Sequence, residues 1–205
     1  MEHRGQLFVL SGPSGVGKST LRERIRKRFT DLWYSVSYTT RPPRPGERDG
    51  EDYHFVSPET FAATVKARGF VEWARVHDHC YGTPKEQVVR HLGNGREVLL
   101  EIDVQGARQV KIEMPEACFI FVLPPDVEAL KKRLRRRATE AEPEMKTRLE
   151  RAAREMAEAP WYDYLIVNGE LDWATEELAA VITANRCRTV AVLPRVVDLL
   201  RLENL

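Results

Sequence analysis

"QLFVLSGPSGVGKST", Gln6 to Thr20, decides how this chain folds. Its first half, Gln6–Ser11, is a short apolar run of the kind that forms a buried strand. Its second half fits G-x-x-x-x-G-K-[ST] with Gly12, Gly17, Lys18 and Ser19, between that strand and a following helical pattern. Glycines there let the backbone turn tightly, so that successive N–H groups converge on phosphate oxygens. The helix N-terminus adds partial positive charge. The residues Gly12, Pro13, Ser14, Gly15, Val16, Gly17, Lys18, Ser19 and Thr20 are therefore the candidate ATP-phosphate cradle. Lys18 is placed to reach the β- and γ-phosphates, and the Ser19 hydroxyl to ligate the Mg²⁺ that accompanies ATP.

Outward from the loop, "STLRERIRKRF" has helical spacing, with Leu21, Ile25 and Phe29 on one face. Further apolar runs at Arg96–Gly106, Cys118–Pro125 and Tyr162–Gly169 read as strands covered on both faces, and the lengths between them suit crossover helices. "KEQVVRHLGNG" reads as one such helix, ending at Gly93 or Gly95. Strand–helix alternation of this kind implies a parallel α/β sheet. The section from about Ser35 to Gly82 differs: prolines and glycines punctuate short alternating or aromatic pieces, which predicts a small β-rich lobe.

The bulk properties narrow the choices. With 205 residues the chain can bury one substantial core and a small appended lobe. A net charge of +1 gives no global pull toward nucleic acid, so an anion site must come from local clustering. No apolar run is long enough to span a bilayer, and "MEHRGQLFVLSG" lacks the features of a signal peptide, so the expectation is a cytoplasmic protein with no membrane partner. Cys80, Cys118 and Cys187 have no metal-ligand spacing and are read as reduced thiols, two of them packed.

"SYTTRPPRPGERDGEDYHF", Ser37 to Phe55, has two readings: a basic, proline-rich ligand for another domain, or one wall of an anion site. On that stretch alone the first is favoured. Its company changes the balance. The loop "GPSGVGKST", then "SVSYTTRPPRPGERDGEDYHF", "FVEWARV", "CYGT" and "EIDVQG", in that order, resembles guanylate kinase from about Gln6 to Cys187. The resemblance implies a P-loop kinase: a parallel core sheet flanked by helices, a small β-rich nucleoside-monophosphate-binding lobe and a helical lid. The expected boundaries are core 1–34, 83–125 and 160–187, lobe 35–82, lid about 126–159, and an extension at 188–205 outside the 1–187 domain. It implies the reaction of ATP with GMP to give ADP and GDP, with ATP and GMP as the partners.

The same resemblance assigns site residues. Ser37, Arg41, Arg44 and Tyr53 grip the GMP phosphate, where arginine forks and a tyrosine hydroxyl suit the chemistry. Glu72 accepts from guanine N1–H and the 2-amino group, with Thr83 and Ser37 assisting and Tyr81 beside the phosphate or base. Glu101 and Asp103, two apart at a strand end, join the GMP side, and Asp103 extends toward the Mg²⁺ water shell. In "LKKRLRRRATE", Arg133 and Arg137 share a helix face. With Arg148 on the next helix, these arginines close over the polyphosphate; Lys18, Arg41, Arg137 and Arg148 form the catalytic set. Asn168 is expected near the adenine or a loop beside it. Ala138 stands where the family usually has glycine, which stiffens the lid hinge.

Two other readings compete. Scaffold-type modules of this kind bind peptides and have lost the cradle, whereas Gly17, Lys18 and Ser19 are intact here. A kinase for a phosphorylated sugar would not need Glu72, Thr83 and Asp103 together. The C-terminal stretch predicts a short amphipathic helix starting at Pro194 with Val197, Leu200 and Leu202 inward. Oligomeric state is left open.

Overall fold

The run at Leu7–Ser11 becomes the central strand of a five-stranded parallel sheet. The computed structural model describes residues 5–76, 78–137 and 142–200, apart from the side chains at 136, 137, 142–144, 195 and 197–199. In order, the elements are β1 (Leu7–Ser11), α1 (Lys18–Arg28), β2 (Trp33–Tyr34), β3 (Tyr38–Thr39), β4 (His54–Phe55), α2 (Pro58–Lys66), β5 (Phe70–Val76) and β6 (His79–Pro84). Then follow α3 (Lys85–Gly93), β7 (Val98–Glu101), α4 (Val104–Glu113), β8 (Cys118–Leu123), α5 (Val127–Arg137), α6 (Glu142–Met156), β9 (Tyr164–Val167), α7 (Leu171–Arg186) and α8 (Thr189–Leu200).

The sheet order is β2-β7-β1-β8-β9, and every pair is parallel. Alternation along β1 sends Val9 to one face and Phe8 and Leu10 to the other, all fully buried. Val9 packs with Leu100, Phe119, Phe121 and the apolar sides of α3 and α4. Phe8 and Leu10 pack with Leu21 and Ile25 of α1 and Leu178 and Ile182 of α7. Helices thus cover both faces, as the continuous apolar runs require. The connection out of β1 runs to β2 on one side and that out of β8 runs to β9 on the other, so a crevice opens at the carboxyl ends of β1 and β8, where the glycine-rich loop sits.

A second sheet has the order β4-β3-β6-β5, with β6 antiparallel to β3 and to β5. Helix α2 packs on it through Phe61, stacked on Phe70 at 4.7 Å between ring centroids. The sequence reading of this section named no helix. Its signal was present: Ser57 caps α2, its hydroxyl accepting from Thr60 N at 3.2 Å, and Pro58 opens the first turn.

Three expectations need correction. The run through Arg96–Gly106 is not one strand: β7 ends at Glu101, and Asp103 is the N-cap of α4, its carboxylate accepting from Gly106 N at 2.8 Å. Glu101 and Asp103 therefore do not share a strand face. Strand β9 is not covered on both faces, because it ends the sheet; Ile166 is buried while Tyr164, Leu165 and Val167 are exposed. Helix α8 starts at Thr189, so Pro194 lies inside it rather than at its start, and Leu200 faces outward. The side chain of Val197, and Leu202, lie outside the described residues. The cysteines are free: Cys118 is buried, Cys80 half-buried and Cys187 exposed.

Leu10 is fully buried on the central strand. Leu10→Ala should lower stability by about 2–5 kcal/mol, read as a shift in the urea midpoint, because the rigid sheet cannot collapse into the cavity. A loss well under that range would mean that β1 is not the centre of the core.

Candidate active site

The loop after β1 turns on glycines that hold positive φ. Gly17 has φ 99° and stands at the start of α1, and a Cβ there would press on the Asn168 carboxamide. A loop whose N–H groups point inward must turn carbonyls elsewhere, and each needs a donor. Lys18 Nζ donates to Gly12 O at 2.6 Å and Pro13 O at 3.3 Å. Val16 O accepts from Arg133 Nη1 at 2.9 Å and from Asn168 Nδ2 at 2.8 Å, and Arg133 Nη2 also donates to Asn168 O at 2.8 Å. Arg133 and Asn168 brace the backbone of the loop in this structure, and the buried Asn168 is a structural support for it. Glu155 of α6, unnoticed in the sequence, accepts from Ser14 N at 3.3 Å and from Arg151 Nε at 3.0 Å. Thr20 is exposed on the first turn of α1.

The Ser19 hydroxyl donates to Glu101 Oε1 at 2.8 Å. The other oxygen of Glu101 accepts from Arg22 Nη1 at 3.1 Å, and the same nitrogen donates to Tyr34 OH at 2.9 Å. Ser19 and Arg22 are three apart on α1 and so reach one carboxylate together. Arg22 and Tyr34 carry no motif signal. Glu101, at the end of β7, thus reaches α1 beside the phosphate loop.

Glu72 and Asp103 form a second centre. Glu72 is 5% exposed on β5, and its Oε1 accepts from Thr83 Oγ1 at 2.5 Å across the strand pair. Burial, with the Asp103 carboxylate adding to it, pushes Glu72 up to about 7. The second oxygen of Asp103, Oδ2, is buried and without a partner among the described residues. Gly106 fits because its missing Cβ leaves room for the Glu72 carboxylate.

The third group lies on the turn-rich stretch. Ser37 and Arg41 are buried, Tyr53 and Tyr81 half-buried, and Arg44 exposed. Arg41 Nη2 donates to both oxygens of Glu47, at 2.8 and 2.9 Å, and Arg44 N donates to Glu47 Oε2 at 2.7 Å. Glu47 escaped the sequence reading, where it passed for an ordinary loop acid. Burial alone would raise its carboxyl, but these donors outweigh it and hold it below the usual range. The Arg41 guanidinium lies 5.5 Å from the centre of the Tyr53 ring. Tyr53 is pushed up to about 12 by burial and by the charge of Glu101, so its hydroxyl keeps its proton.

Of the lid arginines, Arg148 is half-buried on α6. Arg137 closes α5, while its side chain and Ala138 lie outside the described residues. No helix among the described residues is long and apolar enough to cross a membrane.

Comparison with known proteins agrees with this geometry. The family model described as guanylate kinase matches residues 4–185. The chain is 49% identical over 188 residues to the guanylate kinase of Syntrophotalea carbinolica, covering 92% of this chain and 90% of the relative. It is 50% identical over 186 residues to that of Thermus thermophilus, covering 91% and 84%. A crystal structure of guanylate kinase from Anaplasma phagocytophilum superposes with a TM-score of 0.74 at 32% identity, over 93% of this chain and 91% of that one. With its strand order, its phosphate loop and its buried Glu72–Thr83 pair, the chain belongs to the guanylate kinase family.

Proposed function

We propose that the chain transfers the γ-phosphoryl group of ATP to GMP, and also to dGMP, giving the diphosphate and ADP in purine nucleotide metabolism. The observation that carries this reading is Glu72: a buried carboxylate whose neighbours are the Thr83 hydroxyl and the Asp103 carboxylate. Guanine presents two adjacent donors, N1–H and the 2-amino group, and adenine presents none in that arrangement. Such an edge supplies a donor for Asp103 Oδ2, which has no partner among the described residues, and a further donor for the Glu72 carboxylate.

The roles follow from chemistry. Backbone N–H groups of Gly12–Thr20 and Lys18 bind the ATP phosphates and hold the γ-phosphoryl group in line. Arg41, with Arg44, Tyr53, Tyr81 and Ser37, binds the GMP phosphate, so Arg41 exchanges part of its pairing with Glu47 for the incoming anion. Arg137 and Arg148 stabilise charge that spreads over the transferring group. Arg133 supports the loop on which this depends. The Ser19 hydroxyl beside Glu101 is a hard-oxygen pair suited to Mg²⁺. Among the described residues no cluster of three or more ligating side chains occurs, which fits an ion that takes its other ligands from phosphates and water. Bound with ATP, Mg²⁺ neutralises phosphate charge; Ser19 would hold it and Glu101 would orient Ser19.

A coupled assay of ADP release with GMP, dGMP, AMP, UMP, CMP and ribose 5-phosphate tests the proposal. GMP and dGMP should turn over with kcat/KM roughly ten-thousandfold above AMP, since a site built around buried hydrogen bonds rejects a substrate that leaves them unmade. Comparable turnover of AMP or of the sugar phosphate would sink the assignment. Lys18→Ala should cost on the order of a thousandfold or more in kcat/KM with an unchanged circular dichroism spectrum.

Glu72→Gln keeps the shape but exchanges an acceptor for a donor. Activity with GMP should fall by roughly two orders of magnitude and the GMP-to-AMP preference should shrink, with KM for ATP steady. The same variant reports on pH. A carboxyl whose folded value, about 7, lies above its unfolded value binds its proton more tightly when folded. Its contribution is therefore fullest in acid and is lost as pH rises through 7. The variant's Tm relative to the parent should be higher at pH 8 than at pH 5. A gap independent of pH would show that Glu72 does not titrate there.

A further inference from the structure

We propose that Gln109 is the positioning residue of guanine recognition: its carboxamide clamps the main chain of Trp73 and so holds the neighbouring Glu72 in place. The inference rests on the reading of Glu72 given above and adds a residue to it. Gln109 Nε2 donates to Trp73 O at 2.7 Å, and Gln109 Oε1 accepts from Trp73 N at 3.2 Å. Strand β5 is the edge of its sheet, with β6 on its other side. Trp73 turns its N–H and C=O outward from that edge, and one side chain of α4 takes both, as another strand would.

The clamp lies on a shared helix face. Asp103, Gly106 and Gln109 follow at intervals of three along α4 and its cap. Asp103 brings the second carboxylate, Gly106 leaves space for the carboxylate of Glu72, and Gln109 fixes the next residue of the strand. All three act on Glu72 or on the residue after it. The reason for a clamp is electrostatic: ionised Glu72 and Asp103 repel, and the strand would relax away from α4. Two neutral hydrogen bonds one residue along oppose that movement without adding a charge that would compete with the guanine donors. A lysine or arginine at 109 would neutralise the carboxylates instead. An amide is the side chain that offers a donor and an acceptor without charge.

Gln109→Leu removes both bonds at similar volume. Gln109→Glu keeps an acceptor for Trp73 N–H and sets a carboxylate against Trp73 O. Steady-state kinetics with GMP, AMP and ATP, together with Tm, separate positioning from mere support. In Gln109→Leu, KM for GMP should rise roughly tenfold and the GMP-to-AMP preference should narrow, while KM for ATP stays constant. Gln109→Glu should lose at least as much, and it is the deciding variant if the leucine form does not fold. A lower Tm with KM for GMP and preference unmoved would overturn the proposal, and so would a parallel rise in KM for both nucleotides. Glu72→Gln assayed alongside keeps the two readings apart. If it leaves the preference intact, the reading of the base site fails. If it collapses the preference and both Gln109 variants retain it, Gln109 alone is misassigned.

Discussion

Val16 presents one carbonyl oxygen to two donors, Arg133 on α5 and Asn168 after β9. The phosphate loop depends on this arrangement. A cradle that aims its N–H groups at an anion must send carbonyls the other way, and a carbonyl turned into the protein without a donor costs about as much as the hydrogen bond it forgoes. The two donors come from residues 117 and 152 positions away from Val16. The loop is therefore shaped by the last strand and the lid helix as well as by its own glycines. Glu155 adds a third tie, from α6 to the Ser14 amide. Helices α5 and α6 are thereby tied to the cradle by direct bonds.

The acceptor side solves a different problem. Burial, with the Asp103 carboxylate beside it, disfavours the ionised form of Glu72. The fold tolerates the two carboxylates because the N-cap role of Asp103 satisfies one of its oxygens with Gly106 N and sets it at the positive end of α4. Thr83 satisfies one oxygen of Glu72. What is left without a partner among the described residues is Asp103 Oδ2, a buried acceptor beside the Glu72 carboxylate.

Much of this could be read in advance because phosphate chemistry demands particular residues at fixed spacing. Gly17, Lys18 and Ser19 cannot be exchanged without losing a turn, a charge or a hydroxyl. The alternation of apolar runs gave away the parallel sheet for a similar reason. What stayed hidden was of another kind. The edge position of β9 is a property of strand order, which a local run of "YLIV" does not encode. Asp103 follows Ile102 and precedes Val104, so apolar neighbours disguised a helix cap as the tail of a strand. Arg133, Asn168 and Gln109 bind main-chain groups, and a backbone carbonyl has no letter in the sequence. Glu47, the partner of Arg41, was not singled out, because a glutamate in a polar loop looks like any solvated acid. The helix α8 runs through Pro194 although proline removes a donor from a helix interior, and only its packing on the preceding helix could have revealed that.

The two centres meet through the sheet. Leu10 of β1 pairs in register with Glu101 of β7. Two residues after Leu10 the chain enters the phosphate loop at Gly12; two residues after Glu101 it reaches Asp103. Adjacent parallel strands lie about 4.8 Å apart, so the phosphate loop and Asp103 leave neighbouring tracks of one sheet. Glu101 spans them, bonded to Ser19 and Arg22 of α1 while its charge reaches Tyr53 of the acceptor side. In-line transfer tolerates little misplacement of the reacting oxygens. A frame of buried strands can hold that tolerance where a loop-to-loop contact could not, since side chains such as Val9 and Leu100 are packed in one core between strand and helix.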